Sequence, residues 1–74
     1  MSGDTIKFKI KEFGFTTLKI YNAVGKEVAV LVNENLKAGE YETVFNAGNL
    51  SSGIYFCKLT SGDFSKTNKL VLTK

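Results

Sequence analysis

The sequence predicts an all-β fold, an antiparallel sandwich of six to seven strands. Apolar and polar residues alternate with a period of two in several short runs, and clusters of Gly, Asn and Ser separate these runs. No stretch has the period of an amphipathic helix. The 74 residues suffice for one small domain, because a chain of this length buries only one core.

The composition argues against most chemical functions. His is absent and Cys57 is the single cysteine, which removes the usual zinc ligand sets, an internal disulfide and the usual general base. We therefore expect no enzyme activity, no metal and no cofactor. All ten basic residues are Lys, and the absence of Arg, which makes bidentate contacts to phosphates and bases, argues against nucleic-acid binding despite the net charge of +3.

The two ends of the sequence lead to expectations about its organisation. Residues 1–3 are expected to be a cloning remnant and residues 4–74 a single domain. No basic segment followed by an apolar one begins the sequence, so no signal peptide is expected in it. No apolar run approaches the roughly 20 residues of a membrane-spanning helix, so membrane insertion is not expected. The last predicted strand ends next to Lys74. If the sequence is part of a longer protein, we therefore expect it to be the C-terminal part.

The run Thr5–Lys11 alternates strictly and is predicted to be a half-buried strand. Its inward residues would be Ile6, Phe8 and Ile10, and its outward residues Lys7, Lys9 and Lys11. The outward lysines could bind an acidic partner or anionic lipid. Lysines on an exposed edge also discourage addition of a foreign strand, and we favour this protective role.

Phe15–Tyr21 resumes the alternation, with Leu18 and Ile20 on one face and Tyr21 on the other. The turn that follows is predicted to end at Gly25 in the left-handed region, so Gly25 is interpreted as a structural residue.

The run Glu27–Val32 is apolar on both faces, which indicates either an interior strand or a strand with a bulge that changes the direction of the Leu31 side chain. Periodicity alone leaves a helix open for so short a run, but its β-branched residues favour a strand. Asn33–Gly39 is predicted to be a polar connection in which Leu36 drops back onto the core, and a seventh short strand could lie near Leu36.

Glu40–Asn46 is the next predicted strand, with Tyr41, Thr43 and Phe45 facing inward. Glu40 and Glu42 would share the outward face, where two carboxylates could serve glycoside hydrolysis or calcium binding. No Asp cluster accompanies them, and we favour a solvated edge.

Gly53–Leu59 gives the strongest strand signal and is predicted to be a central strand. Tyr55, Cys57 and Leu59 would share its inner face, and the Tyr55 hydroxyl is expected to bond to upstream backbone. A tight hairpin at 61–63 then leads into the last predicted strand, Phe64–Thr73, with Leu70 and Leu72 inward.

Four separated blocks carry a resemblance to a known family. They are Leu18–Ala29, Ala38–Tyr41, Phe45–Phe56 and Lys69–Lys74. In this order and spacing they resemble the type A C-terminal sorting domain of the type IX secretion system, over nearly the whole chain from Thr5 onward. The family is also similar to the immunoglobulin-like domain of flagellar hook-assembly proteins. The resemblance therefore implies an immunoglobulin-like antiparallel β-sandwich.

The function implied by this resemblance is a non-enzymatic transport address. Such domains end secreted proteins of Bacteroidetes-type bacteria and cross into the periplasm with their cargo. An outer-membrane translocon recognises them there, and a sortase-like peptidase removes them while the cargo is anchored to lipopolysaccharide at the cell surface or released.

The family motifs fall on particular residues of this chain. The Gly-x-Tyr motif falls on Gly53 and Tyr55, which we interpret as structural. The terminal basic-apolar motif, interpreted as the translocon recognition element, comprises Lys69, Leu70, Val71, Leu72 and Lys74. The translocon would recognise this motif either by adding a strand of its own to it or by contacting the outward side chains of Lys69 and Val71. The chain departs from the family where Lys11 and Ser51 replace the usual Pro, and the Asn-Pro segment before the first strand is missing.

Two other functions remain open from the sequence. An accessory sandwich that binds carbohydrate would use the outward Tyr21 and Phe56 as an aromatic platform. A structural or assembly module like the flagellar relative would need no site of this kind.

Overall fold

The computed structural model describes residues 4–73, which form six antiparallel strands in two sheets. The strands are β1 (Asp4–Ile10), β2 (Gly14–Asn22), β3 (Glu27–Leu36), β4 (Gly39–Phe45), β5 (Gly53–Ser61) and β6 (Phe64–Leu72). One sheet pairs β1 with β4, and the other has the order β3-β2-β5-β6. The predicted all-β sandwich is confirmed, with six strands in the described part of the chain.

The core lies between the sheets and is centred on β2 and β5. Leu18 is opposite Leu59 and Ile20 is opposite Cys57, and all four side chains are buried. Their alternation follows the sequence pattern, because successive side chains of a strand point to opposite faces. The prediction that β5 is an interior strand is confirmed, since β2 and β6 flank it.

Two corners of the fold match their sequence predictions. The Tyr55 hydroxyl donates a hydrogen bond of 2.8 Å to the carbonyl oxygen of Ser51. In the turn between β2 and β3, Gly25 has φ +89°, which only Gly adopts readily, and its N–H donates to the carbonyl oxygen of Asn22. The Asn22 side-chain oxygen also accepts from the backbone N–H of Lys26 at 2.9 Å, which closes the turn.

The strand β3 differs from its prediction in length. It runs on to Leu36, so the predicted polar connection from Asn33 and the predicted seventh strand are both wrong. The polar residues 33–35 pair with β2 through their backbones, which outweighs their poor strand propensity. Leu36 packs against the core as predicted. Of the two alternatives for this run, the bulge at Leu31 is confirmed, and β3 is an edge strand with two register shifts.

The two-stranded sheet carries opposite charges on its outer face. Lys7 is paired with Glu42 and Lys9 with Glu40 across β1 and β4, a favourable cross-strand arrangement. On the inner face the Phe8 and Tyr41 rings stack with their centroids 5.5 Å apart.

The sandwich is open along one side. There β1 and β6 border a cleft whose lining includes the core residues Leu18, Cys57 and Leu59. Because two strands face four, the inner side of β6 is incompletely covered: Phe64 is 45% exposed.

Candidate recognition edge on the last strand

The last strand, β6, lies at one edge of the four-stranded sheet. It pairs with β5 over all nine residues, Phe64–Leu72, without a register shift. The opposite edge, β3, is interrupted by two shifts, and such bulges disrupt the regular ladder that another strand needs. Of the two edges of this sheet, β6 is therefore the more regular template for strand addition.

The side chains of the predicted recognition motif divide between two faces. Leu72 is buried and Leu70 packs against the core, as predicted. Lys69 and Val71 are exposed on the outer face, and 61% of the Val71 surface is accessible to solvent. Lys74, the remaining residue of the motif, lies outside the described residues.

The hairpin between β5 and β6 fixes which backbone groups of β6 are free. Ser61 pairs with Phe64, so the loop has two residues, and Gly62 at its first position has φ +59°, as in a type II′ turn. The pair that flanks such a loop is hydrogen-bonded, and bonded and non-bonded pairs then alternate along the ladder. Among the described residues of β6, those whose N–H and C=O groups point away from β5 are Ser65, Thr67, Lys69 and Val71.

The other residues of the family motifs lie at the start of β5 and in the turn before β3. Gly53 begins β5 opposite Leu72, and Tyr55 lies opposite Leu70. Gly25 shapes the turn before β3. Tyr55 is buried and Leu70 packs against the core, so the start of β5 and the end of β6 meet on the inner face of the sheet.

The candidate aromatic platform is partly enclosed. Tyr21 and Phe56 are directly opposite each other on the outer face of the sheet, and Phe56 is opposite Lys69. Both rings are half-buried, which reduces the flat area that a sugar ring needs. No finding favours the carbohydrate-binding alternative.

The groups that could carry chemistry lie on the outer face of β4 or in the core. Glu40 and Glu42 each face a lysine of β1, as described above. Cys57 is buried, and desolvation raises the pKa of its thiol, which keeps it neutral at physiological pH. Among residues 4–73, no group of three or more His, Cys, Asp or Glu side chains could hold a metal ion. The described residues also include no helix that could span a membrane.

Sequence reasoning missed two features of this region. Thr16 is fully buried, and its hydroxyl lies 3.0 Å from that of Ser61 and donates to the carbonyl oxygen of Gly14. The alternation that places Leu18 and Ile20 inward already includes Thr16, so the pattern could have found it. The open cleft beside β1 had no local signal, because it depends on how many strands each sheet contains.

A model of a known protein family matches nearly the whole chain. The family model described as the secretion system C-terminal sorting domain matches residues 2–73. Neither the curated proteins nor the solved structures include a match to this chain.

Proposed function

The chain belongs to the secretion system C-terminal sorting domain family, whose model matches residues 2–73, and from this membership we propose how the secretion machinery recognises the domain. The domain is a C-terminal sorting signal for type IX secretion. It therefore interacts with the secretion system, is fused to a cargo, and serves export to the cell surface or the medium. We propose that it acts without catalysis, by being bound through the free edge of β6.

The finer steps belong to this proposal. Residues 4–74 act as one unit that passes through the periplasm with its cargo. An outer-membrane translocon component adds a strand of its own to β6 and contacts Lys69 and Val71. A sortase-like peptidase then separates the domain from the cargo. The inward residues Leu70 and Leu72 serve recognition indirectly, because they hold β6 in place.

The observation that supports this proposal most is the regularity of β6. Nine residues pair with β5 in one register, and alternate residues turn their backbone donors and acceptors away from the sheet. Strand addition draws its affinity from such main-chain groups and its specificity from alternate side chains. Lys69 supplies a charge and Val71 an apolar surface at this edge.

The proposed function is tested by transport of a passive cargo. Residues 4–74 are fused behind a signal peptide and a fluorescent protein, and the fusion is expressed in a host with a type IX system and in the same host without the translocon. We expect fluorescence in the medium or on the cell surface in the first host and in the periplasm in the second. Equal distribution in both hosts would remove the transport role of this chain.

A further inference from the structure

The outer face of the four-stranded sheet carries an apolar patch near the start of β5. Tyr21 of β2 is directly opposite Phe56 of β5, and Ile54 of β5 is directly opposite Val71 of β6. The residues between them in sequence are buried in the core, so alternation places these four side chains on the outside. Ile54 is 45% exposed and Val71 is 61% exposed, and both rings are half-buried beside them. We call these four residues, which occupy neighbouring positions on three strands, the outer patch.

Two lysines lie directly opposite each other beside the outer patch. Lys19 precedes Tyr21 by two positions on β2, and it faces Lys58 of β5. Like charges directly opposite each other destabilise a sheet. Lys19 forms an ion pair of 3.3 Å with Glu27, whereas Lys58 is exposed and makes no ion pair among residues 4–73. The sheet therefore holds an unmatched positive charge next to exposed apolar side chains.

Protection of a sheet edge does not explain Lys58. The strand β5 is flanked by β2 and β6, so this lysine has no free edge to protect. The other sheet has a different arrangement, because the outward Lys7 and Lys9 of β1 are each opposite a glutamate of β4. One outer face thus matches its lysines with carboxylates of the same domain, and the other leaves Lys58 without one.

The charge of this face favours an acidic protein surface over the other occupants. A second copy of the domain would bring together two faces of the same net positive charge, which opposes association. Anionic membranes attract clusters of roughly four to eight basic residues. The described strands place three lysines on this face, and Glu27 already neutralises one of them. A protein that presents a carboxylate beside apolar side chains matches both Lys58 and the outer patch.

The outer patch is continuous with the free edge of β6. Val71 belongs to both, because its side chain lies on the outer face while its backbone groups point away from β5. Lys69, which lies on the same edge, is directly opposite Phe56. A partner that is seated on the β6 edge is therefore already in contact with the border of the patch.

We propose that the secretion component that adds a strand to β6 also covers the outer patch, with apolar side chains over Ile54 and Phe56 and a carboxylate beside the ammonium group of Lys58. This inference rests on the proposed function and names the chemistry of the partner, an acidic residue flanked by apolar ones. The partner extends from its edge strand across β5 to β2. Its carboxylate relieves the repulsion between Lys19 and Lys58, so this lysine pair favours the bound state.

The substitution Lys58→Glu separates binding from stability. In the free domain it places a carboxylate opposite Lys19, so the melting temperature should stay equal or rise. In the complex it opposes the carboxylate of the partner, so export of a reporter fused to residues 4–74 should fall by about fivefold or more. Lys58→Arg keeps the charge, and its export should lie closer to that of the unsubstituted domain than to that of Lys58→Glu.

The matched control is Lys37→Glu, because Lys37 is exposed in the loop that connects β3 of one sheet with β4 of the other. Both variants lower the net charge from +3 to +1, since each reversal removes two charge units. Export of Lys37→Glu should stay within about twofold of the unsubstituted domain. Equal loss in the two variants would assign the effect to net charge and overturn the proposal, and so would undiminished export of Lys58→Glu.

Photo-crosslinking distinguishes this inference from the proposed function. A photoreactive phenylalanine analogue replaces Tyr21, which lies two strands, or about 10 Å, in from β6. A matched variant carries it at Val44, which is 63% exposed on the outer face of β4, and a third carries it at Thr67 on the β6 edge. With the fusion arrested in transit, we expect crosslinks to one outer-membrane component from positions 21 and 67 and none from position 44.

The crosslinking outcomes separate the two claims. Crosslinks from position 67 with none from position 21 would overturn this inference and leave strand addition at β6 intact. Crosslinks from position 21 to lipid or to a second copy of the domain would overturn it as well, as would equal crosslinks from positions 21 and 44. If no position is crosslinked and the unsubstituted fusion stays in the periplasm, the proposed function fails together with this inference.

Discussion

Replacing Lys69 by Pro is expected to reduce export of a reporter fused to residues 4–74 by about tenfold or more, while the domain stays folded. The N–H of Lys69 points away from β5, so its loss removes no bond of the sheet. Pro at this position removes a donor that an added strand needs, and its ring occupies the space of that strand. The measurement is the exported fraction of reporter fluorescence, with the melting temperature of the isolated domain followed by circular dichroism.

Two neighbouring substitutions separate the backbone from the side chain. Lys69→Ala keeps the N–H and removes the charge, and it should retain most of the export. Asn68→Pro removes an N–H that pairs with β5, and it should destabilise the domain by about 3 kcal/mol. Equal export by Lys69→Pro and the unsubstituted domain would contradict strand addition. Equal loss in Lys69→Ala and Lys69→Pro would assign recognition to the side chain instead.

Replacing Ile20 by Ala should lower the free energy of unfolding by about 2–5 kcal/mol. Ile20 is fully buried on the interior strand β2, between Ala29 of β3 and Cys57 of β5. The strands β3 and β5 flank β2, so the structure around residue 20 can relax only partly into the cavity that the substitution leaves. For a domain of this size, the melting temperature should fall by more than about 10 °C.

The matched control is Val30→Ala, because Val30 is aliphatic and β-branched but is 47% exposed on the edge strand β3. Its free energy of unfolding should change by less than about 0.5 kcal/mol. Urea unfolding of both variants measures the difference. A smaller loss for Ile20→Ala than for Val30→Ala would mean that the core does not lie between these sheets.

Much of the fold follows from local sequence pattern. Alternation with a period of two identified the inner faces of β1, β2, β4 and β5, because a strand with one buried face must repeat in this way. The Tyr55 hydrogen bond and the left-handed Gly25 were also predicted, since both depend on residues within a few positions. The division of β6 into the inward Leu72 and the outward Val71 follows from the same rule.

The remaining features depend on contacts between distant residues. Asn33 and Asn35 have low strand propensity, yet their backbones complete the pairing with β2, so β3 extends to Leu36. The open cleft exists because one sheet has two strands and the other four, a number that no single segment encodes. The free backbone groups of β6 depend on the two-residue loop at Gly62, because the length of the loop sets which pairs of the ladder are hydrogen-bonded.

Site-specific photo-crosslinking during export tests the central claim, that the secretion machinery binds the β6 edge, most directly. A photoreactive amino acid is placed at Thr67, on the free edge of β6, and in a matched variant at Asn33, on the opposite edge strand β3. With the fusion arrested in transit, we expect crosslinks to an outer-membrane component from position 67 and none from position 33. Crosslinks from position 33 with none from position 67 would contradict the claim.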